Sequence, residues 1–264
     1  RRFLVMGWMM GMEWSSFLML LVVVALASAC QNLTGFAFAL IFVGLVGALH
    51  LLPIADAANV AGLLTLVNGI VFIRSHPFRP RWDMLKPMII SSTIGVFLGL
   101  GLLHFLTGNL VVVLRLLLGV TIIVCAVVLL RQTGKREKLS GMRAMYVASG
   151  LSGLLGGLFS TSGPPIVYHL YREPLPAVLI RQCLLVLFMA NTVVRLTVVT
   201  ISGELSRASL VTAAFAVPVV AGVTWFVAKH PPPLPVRVMQ WLVCSLLLLT
   251  GVSMLYSALA SFAT

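Results

Sequence analysis

Two short polar segments interrupt long apolar runs at matching places in the two halves of the chain. Thr34-Gly35 and Ser162-Gly163 each place a hydroxyl residue before a glycine, and each opens a predicted helix. A helix start leaves backbone N–H groups unpaired and carries partial positive charge, so it attracts an anion where water is scarce. Glycine also lets a ligand approach the backbone closely. These segments, here called break 1 (residues 31–35) and break 2 (residues 160–165), therefore predict a site for a small anion.

The side chains around both breaks are neutral hydrogen-bonding groups. Besides Gly35 and Gly163, the predicted site comprises Gln31, Asn32, Thr34, Ser160, Thr161 and Ser162. Pro164 or Pro165 suits the first turn of the helix that follows break 2. The competing interpretation is that these residues only kink helices and cap their own backbone. We favour a substrate site, because both halves break at matching places.

One arginine within an apolar stretch offers a full positive charge. Arg195 follows Asn191 by four residues, which places both on one face of a helix. A charge inside a membrane is costly and usually functional, so we predict that both residues bind the anion. The alternative is that Arg195 only reaches the lipid head groups. Asn59 and Asn68 are the polar counterparts in the first half, although packing between helices explains such residues equally well.

Enzymatic and metal chemistry find little support in the sequence. Cys30, Cys125, Cys183 and Cys244 lie in apolar runs without a CxxC pair or a histidine at ligand spacing. No histidine lies beside an acid, and the hydroxyls of break 2 have no base nearby in sequence, so no paired nucleophile and base is predicted. We therefore expect no enzyme, no metal and no cofactor.

The composition requires a membrane. The chain is 60% hydrophobic and 9% charged, with a mean hydropathy of +1.11, whereas soluble domains are about 45–50% apolar and roughly 25% charged. A β-barrel would need alternating apolar and polar residues, but runs such as 18–29 and 110–130 are apolar all round. The sequence thus predicts an all-α polytopic membrane protein, with residues 1–264 forming one transmembrane domain in the lipid bilayer.

Proline, glycine and charged residues divide the chain into ten predicted helical stretches. Their expected ranges are 14–30, 35–51, 56–74, 84–105, 109–131, 143–159, 165–172, 176–202, 208–228 and 235–260. The stretch 165–172 rises only about 12 Å against a hydrocarbon core of roughly 30 Å, so it cannot cross and predicts a re-entrant pair. Whether the first two stretches span or re-enter is left open, giving about eight to ten membrane segments.

The ten stretches form two groups of five. The first group covers about 14–131 and the second about 143–260, and an odd number of segments gives the two groups opposite orientations. Inverted repeats with broken helices near the midplane are typical of secondary transporters.

The net charge of +12 has a topological explanation. The basic residues concentrate at segment ends, as cytoplasmic loops of membrane proteins require, so no nucleic-acid partner is predicted. The loops at 75–83 and 132–142 and the turn at 172–175 are expected to be cytoplasmic.

The sequence resembles the sulfite exporter TauE/SafE family, also called the toluenesulfonate uptake permease family. The similar segments are TGFAFALIFVGLVGALHLLP at residues 34–53 and GLLGGLFSTSGPPI at residues 153–166. The resemblance implies a helical carrier with inverted repeats that handles sulfite, sulfonates or related sulfur-containing organic anions in either direction. It carries over the break at Thr34-Gly35 and the stretch 156–165.

These observations predict a secondary transporter for a small organosulfonate, sulfite or related anion in the bacterial inner membrane. An anion-selective channel is the alternative. A purely structural or signalling membrane protein would not need two broken helices. The sequence leaves open which anion is carried, the direction, a coupling proton or cation, and whether the protein forms a homodimer.

Overall fold

A computed structural model describes residues 14–34, 36–75, 81–109, 111–130, 139–230 and 236–263. Every regular element within these ranges is an α-helix. The helices are α1 (Trp14–Thr34), α2 (Phe38–Ala48), α3 (Ile54–Ser75), α4 (Trp82–Asn109), α5 (Val111–Leu130), α6 (Met142–Phe159), α7 (Pro164–Tyr171), α8 (Ala177–Ile201), α9 (Arg207–Lys229) and α10 (Val236–Ala263). The predicted all-α fold is confirmed, and each predicted stretch corresponds to one helix.

Several helices have the length and composition of membrane spans. Within the described residues, the five that meet this criterion are Trp14–Asn32, Ile54–Arg74, Trp82–Leu106, Val178–Ile201 and Arg207–Val227. Large apolar side chains also cover the outside of the bundle; Phe97, Leu98 and Ile201 are each more than half exposed. So much exposed apolar surface suits contact with lipid rather than water. The chain is a multi-pass membrane protein.

The closest helix packing joins α4 to α6. A Cβ added at Gly95 would lie 2.1 Å from the carbonyl oxygen of Gly150, and one added at Gly153 would lie 1.9 Å from that of Ser92. The two backbones therefore touch, as small residues allow in membrane bundles. Because α6 leads directly into break 2, this contact fixes the position of the break.

The short helices α2 and α7 lie inside the bundle. Almost all of α2 is buried, and it packs against α1, α3 and α10, whereas α7 packs against α5, α6 and α8. Around them, α9 packs against α1 and α3, α5 against α10, and α3 against α8. The eight residues of α7 are too few to cross a membrane, as predicted.

The bounds of break 1 were predicted wrongly. Helix α1 continues to Thr34, so Gln31 and Asn32 belong to its last turns, and α2 begins only at Phe38. The physical reason is that the Asn32 amide Nδ2 donates to the carbonyl oxygen of Ser28, one turn back in the same helix (2.8 Å). From here on, break 1 means residues 31–37, that is, the end of α1 and the link to α2. Gly35 and the side chain of Thr34 lie outside the described residues.

Candidate anion site between the two breaks

The two breaks meet at one buried cavity. Its walls come from break 1 and the start of α2, from break 2, and from α3 and α8. The lining residues are Gln31, Phe36, Ala37, Phe38, Ala39, Thr65, Ser160, Thr161, Ser162, Gly163 and Phe188. We call this space the break cavity. Five of the predicted site residues line it, namely Gln31, Ser160, Thr161, Ser162 and Gly163.

The start of α2 lines this space through Ala37, Phe38 and Ala39. Ala37, the N-cap residue, makes no side-chain hydrogen bond to the helix within the described structure, and a helix start leaves its first N–H groups without partners inside the helix. Gly163 is the N-cap residue of α7 and likewise provides no side-chain hydrogen bond to its helix. However, Pro164 and Pro165 carry no N–H, so α7 offers fewer backbone donors than α2. The hydroxyls of Ser160, Thr161 and Ser162 supply donors on that side instead.

Two residues other than glycine adopt left-handed backbone at the breaks. Ala37 has φ 84° and Ser160 has φ 58°. Such conformations cost on the order of 1–3 kcal/mol and cluster at functional sites. Gly163 is right-handed, with φ −75°, so its lack of a side chain matters for space. A Cβ there would lie 3.3 Å from Cδ2 of Phe36, which shows that the two breaks are in contact.

Asn191 holds break 2 in place. Its Nδ2 donates to Oγ of Ser162 at 3.0 Å, and its Oδ1 accepts from Oγ of Ser92 at 2.7 Å. Because Ser162 Oγ already accepts this bond, its own proton can be donated to a ligand. Ser160 is also buried, and its Oγ has no hydrogen-bond partner among the described residues. Asn191 thus contacts a residue of the break cavity, Ser162, but does not line the cavity itself.

Arg195 is buried and bridges three helices. It is 1% exposed, which excludes the interpretation that it reaches the lipid head groups. Its Nη1 donates to Oδ1 of Asn59 at 2.8 Å, and its Nε donates to the carbonyl oxygen of Gly157 at 3.1 Å. Nη2 has no hydrogen-bond partner in the described part of the chain. Arg195 does not line the break cavity.

Asn32 and Asn68 hold the end of α1 against α9 and α3 through Thr224. Nδ2 of Asn32 donates to Oγ1 of Thr224 at 3.1 Å, and that hydroxyl donates to Oδ1 of Asn68 at 3.1 Å. Counted from the first residue of its helix, Asn68 in α3 occupies the same position as Asn191 in α8. Each asparagine therefore ties one break to a neighbouring helix. Asn59 and Asn68 do not line the break cavity, and Asn68 lines a second cavity with Gln31.

The sequence did not identify the aromatic wall of the cavity. Phe36, Phe38 and Phe188 contribute aromatic rings to its lining, and Thr65 adds a hydroxyl from α3. Thr65 could have been noticed as a polar residue in an apolar helix. The phenylalanines could not, because in an apolar sequence they look the same as packing residues. No acid lines the cavity within the described structure.

The break cavity is small as it stands. The space open to the centre of a water-sized sphere is about 20 Å3, which is enough for a water molecule but not for a sulfonate. An anion can enter only if the lining side chains or the half-helices move.

A buried polar cluster lies at the far end of α7. Oγ of Ser140 lies 2.8 Å from Nε2 of His169 and donates to Oε1 of Glu173, which itself lies 3.6 Å from the same Nε2. The expectation that no histidine lies beside an acid is therefore wrong. A catalytic triad needs the acid on the other ring nitrogen, so this cluster is not arranged for nucleophilic catalysis. The cluster links the end of α7, through His169 and Glu173, to Ser140, which precedes α6.

These features define a multi-pass helical membrane protein with a buried polar cavity between two broken helices. The chain belongs to a family described as "Sulfite exporter TauE/SafE", whose family model matches residues 20–254. It is 30% identical over 232 residues to the "Probable sulfite/organosulfonate exporter TauE" of Cupriavidus necator, covering 88% of this chain and 91% of that protein. No solved structure gives a significant match. The resemblance found in the sequence is confirmed, and the chain is a membrane transporter rather than an enzyme.

Proposed function

We propose that this protein is a secondary transporter that binds a small sulfur-containing oxoanion in the break cavity. The observation that carries the proposal is that residues of both breaks line one buried space. The candidate substrates are an organosulfonate, sulfite or a related anion. They agree with the anions named for the family and for the relative from C. necator.

The lining of the cavity suits such a substrate. The start of α2 provides backbone N–H groups and the positive end of a helix dipole, and break 2 provides hydroxyls. An acid in the wall would repel the ligand, and the described wall contains none. Phe36, Phe38 and Phe188 give an apolar side that an organic group attached to sulfur could contact. This wall is what would favour organosulfonates over inorganic sulfate.

Arg195 is the proposed source of positive charge. Its two described partners, Asn59 and the carbonyl oxygen of Gly157, are neutral. A buried charge whose hydrogen-bond partners are all neutral is costly, so an anion next to Nη2 would stabilise it. A Cβ added at Gly62 in α3 would lie 2.9 Å from Oγ of Ser160 and 3.3 Å from Cγ2 of Thr192 in α8. Helix α3 therefore contacts both break 2 and α8 at this point. We infer that Nη2 reaches the ligand when the cavity opens.

The helix packing supports two inverted repeats, about 14–131 and 143–260. Helix α9 packs against α1 as α4 packs against α6, and α1 packs against α2 as α6 packs against α7. The pairs α3 with α8 and α5 with α10 each join corresponding helices. This exchange of roles is expected when two halves are related by a pseudo-twofold axis in the membrane plane. We propose eight to ten membrane segments in a bacterial inner membrane, with the basic loops in the cytoplasm.

A carrier fits the cavity better than a channel. A channel needs a continuous path wide enough for the anion, whereas the break cavity has room for little more than a water molecule. Alternating movement of the two halves would open it to one side at a time. Uphill transport would then need a coupling proton or cation.

Flux in proteoliposomes tests the proposal. We expect saturable uptake of a labelled sulfonate and counterflow driven by unlabelled sulfonate inside the vesicles. A steady current without counterflow would instead indicate a channel. A thermal-shift screen against sulfite, sulfate, taurine, isethionate and aromatic sulfonates would identify the substrate class, because a ligand of the folded state raises its apparent stability. If no sulfur-containing anion stabilises the protein or crosses the membrane, the proposed function is wrong.

A further inference from the structure

A second small cavity adjoins the first. Its lining consists of Gln31, Asn32, Asn68, Phe72, Arg181 and Leu185. Gln31 lines both cavities, so its side chain lies at the boundary between them. We call this second space the arginine cavity. Three of its residues, Gln31, Asn32 and Asn68, belong to the predicted anion site, whereas Phe72, Arg181 and Leu185 do not.

The position of the arginine cavity follows from α8. Asn191 is bonded to Ser162 at the level of break 2. Arg181 precedes Asn191 on the same helix, and ten residues at 1.5 Å each place the two Cα atoms about 15 Å apart along the axis. The arginine cavity therefore extends from the breaks toward the beginning of α8. That end carries the turn at 172–175, which the basic residues place in the cytoplasm.

The polar groups of the arginine cavity suit an anion. Asn68 is 2% exposed; its Oδ1 accepts from Thr224, and its Nδ2 has no hydrogen-bond partner among the described residues. A buried amide N–H without an acceptor is costly, so it favours an occupant that accepts hydrogen bonds. Arg181 adds a positive charge to the same lining, and the described lining includes no acid.

We propose that the arginine cavity is a second subsite for the transported oxoanion, held by the guanidinium of Arg181 and Nδ2 of Asn68. This inference rests on the proposed function and adds a station between the breaks and the cytoplasmic side. An anion leaving the break cavity past Gln31 would meet a donor and a full positive charge before it reaches water. The subsite would lower the barrier for movement between the breaks and that side of the membrane.

Charge-selective labelling of a single cysteine tests the subsite without requiring transport. In a variant with Cys30, Cys125, Cys183 and Cys244 replaced by alanine, Leu185→Cys places a thiol in the arginine cavity. Inside-out membrane vesicles are treated with two membrane-impermeant methanethiosulfonate reagents, one carrying a sulfonate and one carrying a trimethylammonium group. We expect the anionic reagent to react faster, and methanesulfonate to slow both reactions.

The charge of Arg181 must be the cause of that preference. In Arg181→Gln, we expect the ratio of the two rates to fall by roughly tenfold, because one unit charge at a few ångströms acts with opposite sign on the two reagents. Arg172→Gln is the matched control. Arg172 belongs to the same end of the bundle but bonds to the hydroxyl of Tyr168 at 2.7 Å and does not line the cavity. The control should keep the preference.

Other outcomes overturn the subsite. Equal rates for the two reagents, an unchanged ratio in Arg181→Gln, or no protection by methanesulfonate would each exclude it. Phe72→Cys repeats the test from α3 in case Leu185→Cys does not fold. Failure of the proposed function has a different signature, because the parent protein itself would then carry no sulfonate in proteoliposomes, whatever the labelling shows.

Discussion

Arg195 and Asn59 join the two halves of the chain by a buried hydrogen bond, in which Nη1 of the arginine donates to Oδ1 of the asparagine over 2.8 Å. Asn59 also donates through Nδ2 to the carbonyl oxygen of Glu204 at 3.5 Å, beyond the end of α8. The charge of Arg195 is thus held rigidly beside break 2. If α3 moves relative to α8, this hydrogen bond must break, or the two side chains must move to keep it.

Replacing Arg195 should weaken substrate binding in steps. Arg195→Lys keeps the charge but loses the planar guanidinium, which can donate two parallel hydrogen bonds, so we expect a moderate loss of affinity. Arg195→Ala should lose about ten- to a hundredfold in affinity. Calorimetric titration with the best ligand from the thermal-shift screen measures both. Arg207→Ala, at the exposed start of α9, is the control and should bind normally.

The Arg195 variants also report on the role of the residue in folding. Arg195→Ala leaves Oδ1 of Asn59 and the carbonyl oxygen of Gly157 without their donor, so its melting temperature should fall even without ligand. Unchanged affinity together with a lowered melting temperature would assign Arg195 to structure alone. The uncapped helix start of α2 and the hydroxyls of break 2 would then be the remaining anion-binding groups.

The orientation of the protein can be read from one loop position. Glu137→Cys places a thiol in the basic loop at 132–142, which we expect to be cytoplasmic. A membrane-impermeant thiol reagent should label it only after the cells are opened. Residues 131–138 lie outside the described residues, so this expectation comes from the sequence. Labelling in intact cells would reverse the assigned topology.

The contact between α4 and α6 predicts opposite effects of the same substitution at two glycines. Gly153→Ala would place a Cβ 1.9 Å from the carbonyl oxygen of Ser92, so the helices must separate. We expect a loss of about 1–3 kcal/mol in unfolding free energy, as for an overpacked core. Gly222→Ala meets nothing within 4 Å and should be neutral or stabilising, because alanine favours helix by about 1 kcal/mol. Thermal unfolding in detergent measures both, and equal shifts would contradict the packing.

The sequence was sufficient to predict the helices, because hydropathy and helix-breaking residues act locally. The meeting of the two breaks was inferred from their matching places in the two halves. It was not sufficient for details that depend on distant partners. The helix α1 runs past Gln31 and Asn32, since Asn32 bonds to Ser28 in its own helix and to Thr224 in α9. No local pattern reveals the partner in α9. For the same reason the sequence did not place Asn68 and Gln31 at a second cavity.

The left-handed backbone at the breaks was not predicted. Ala37 and Ser160 adopt it in the described structure, although glycine is the residue that adopts this conformation at no steric cost. Tertiary contacts impose this conformation against local preference. Ser140 was similarly missed as a partner of His169 and Glu173, because it precedes a whole helix and a break that bring it back to them.

Filling the space between the breaks should abolish transport. Gly163 lies in the lining of the break cavity, and a Cβ there would already be 3.3 Å from Cδ2 of Phe36. Because the backbone of Gly163 is right-handed, Gly163→Ala is compatible with the fold, and a small shift of Phe36 accommodates it. Gly163→Leu would occupy the space next to the hydroxyls of break 2, so we expect sulfonate flux to fall to background.

Two controls separate blockage from misfolding. Gly101→Leu makes the same change in α4, where a Cβ meets nothing within 4 Å, and it should transport normally. Gly163→Leu should still unfold cooperatively, at a melting temperature lowered by overpacking of the small cavity, while the shift produced by a bound sulfonate should disappear. Gly35→Leu is expected to behave in the same way from break 1. If both leucine variants transport at the parent rate in proteoliposomes, the breaks are kinks, and the anion crosses elsewhere in the bundle.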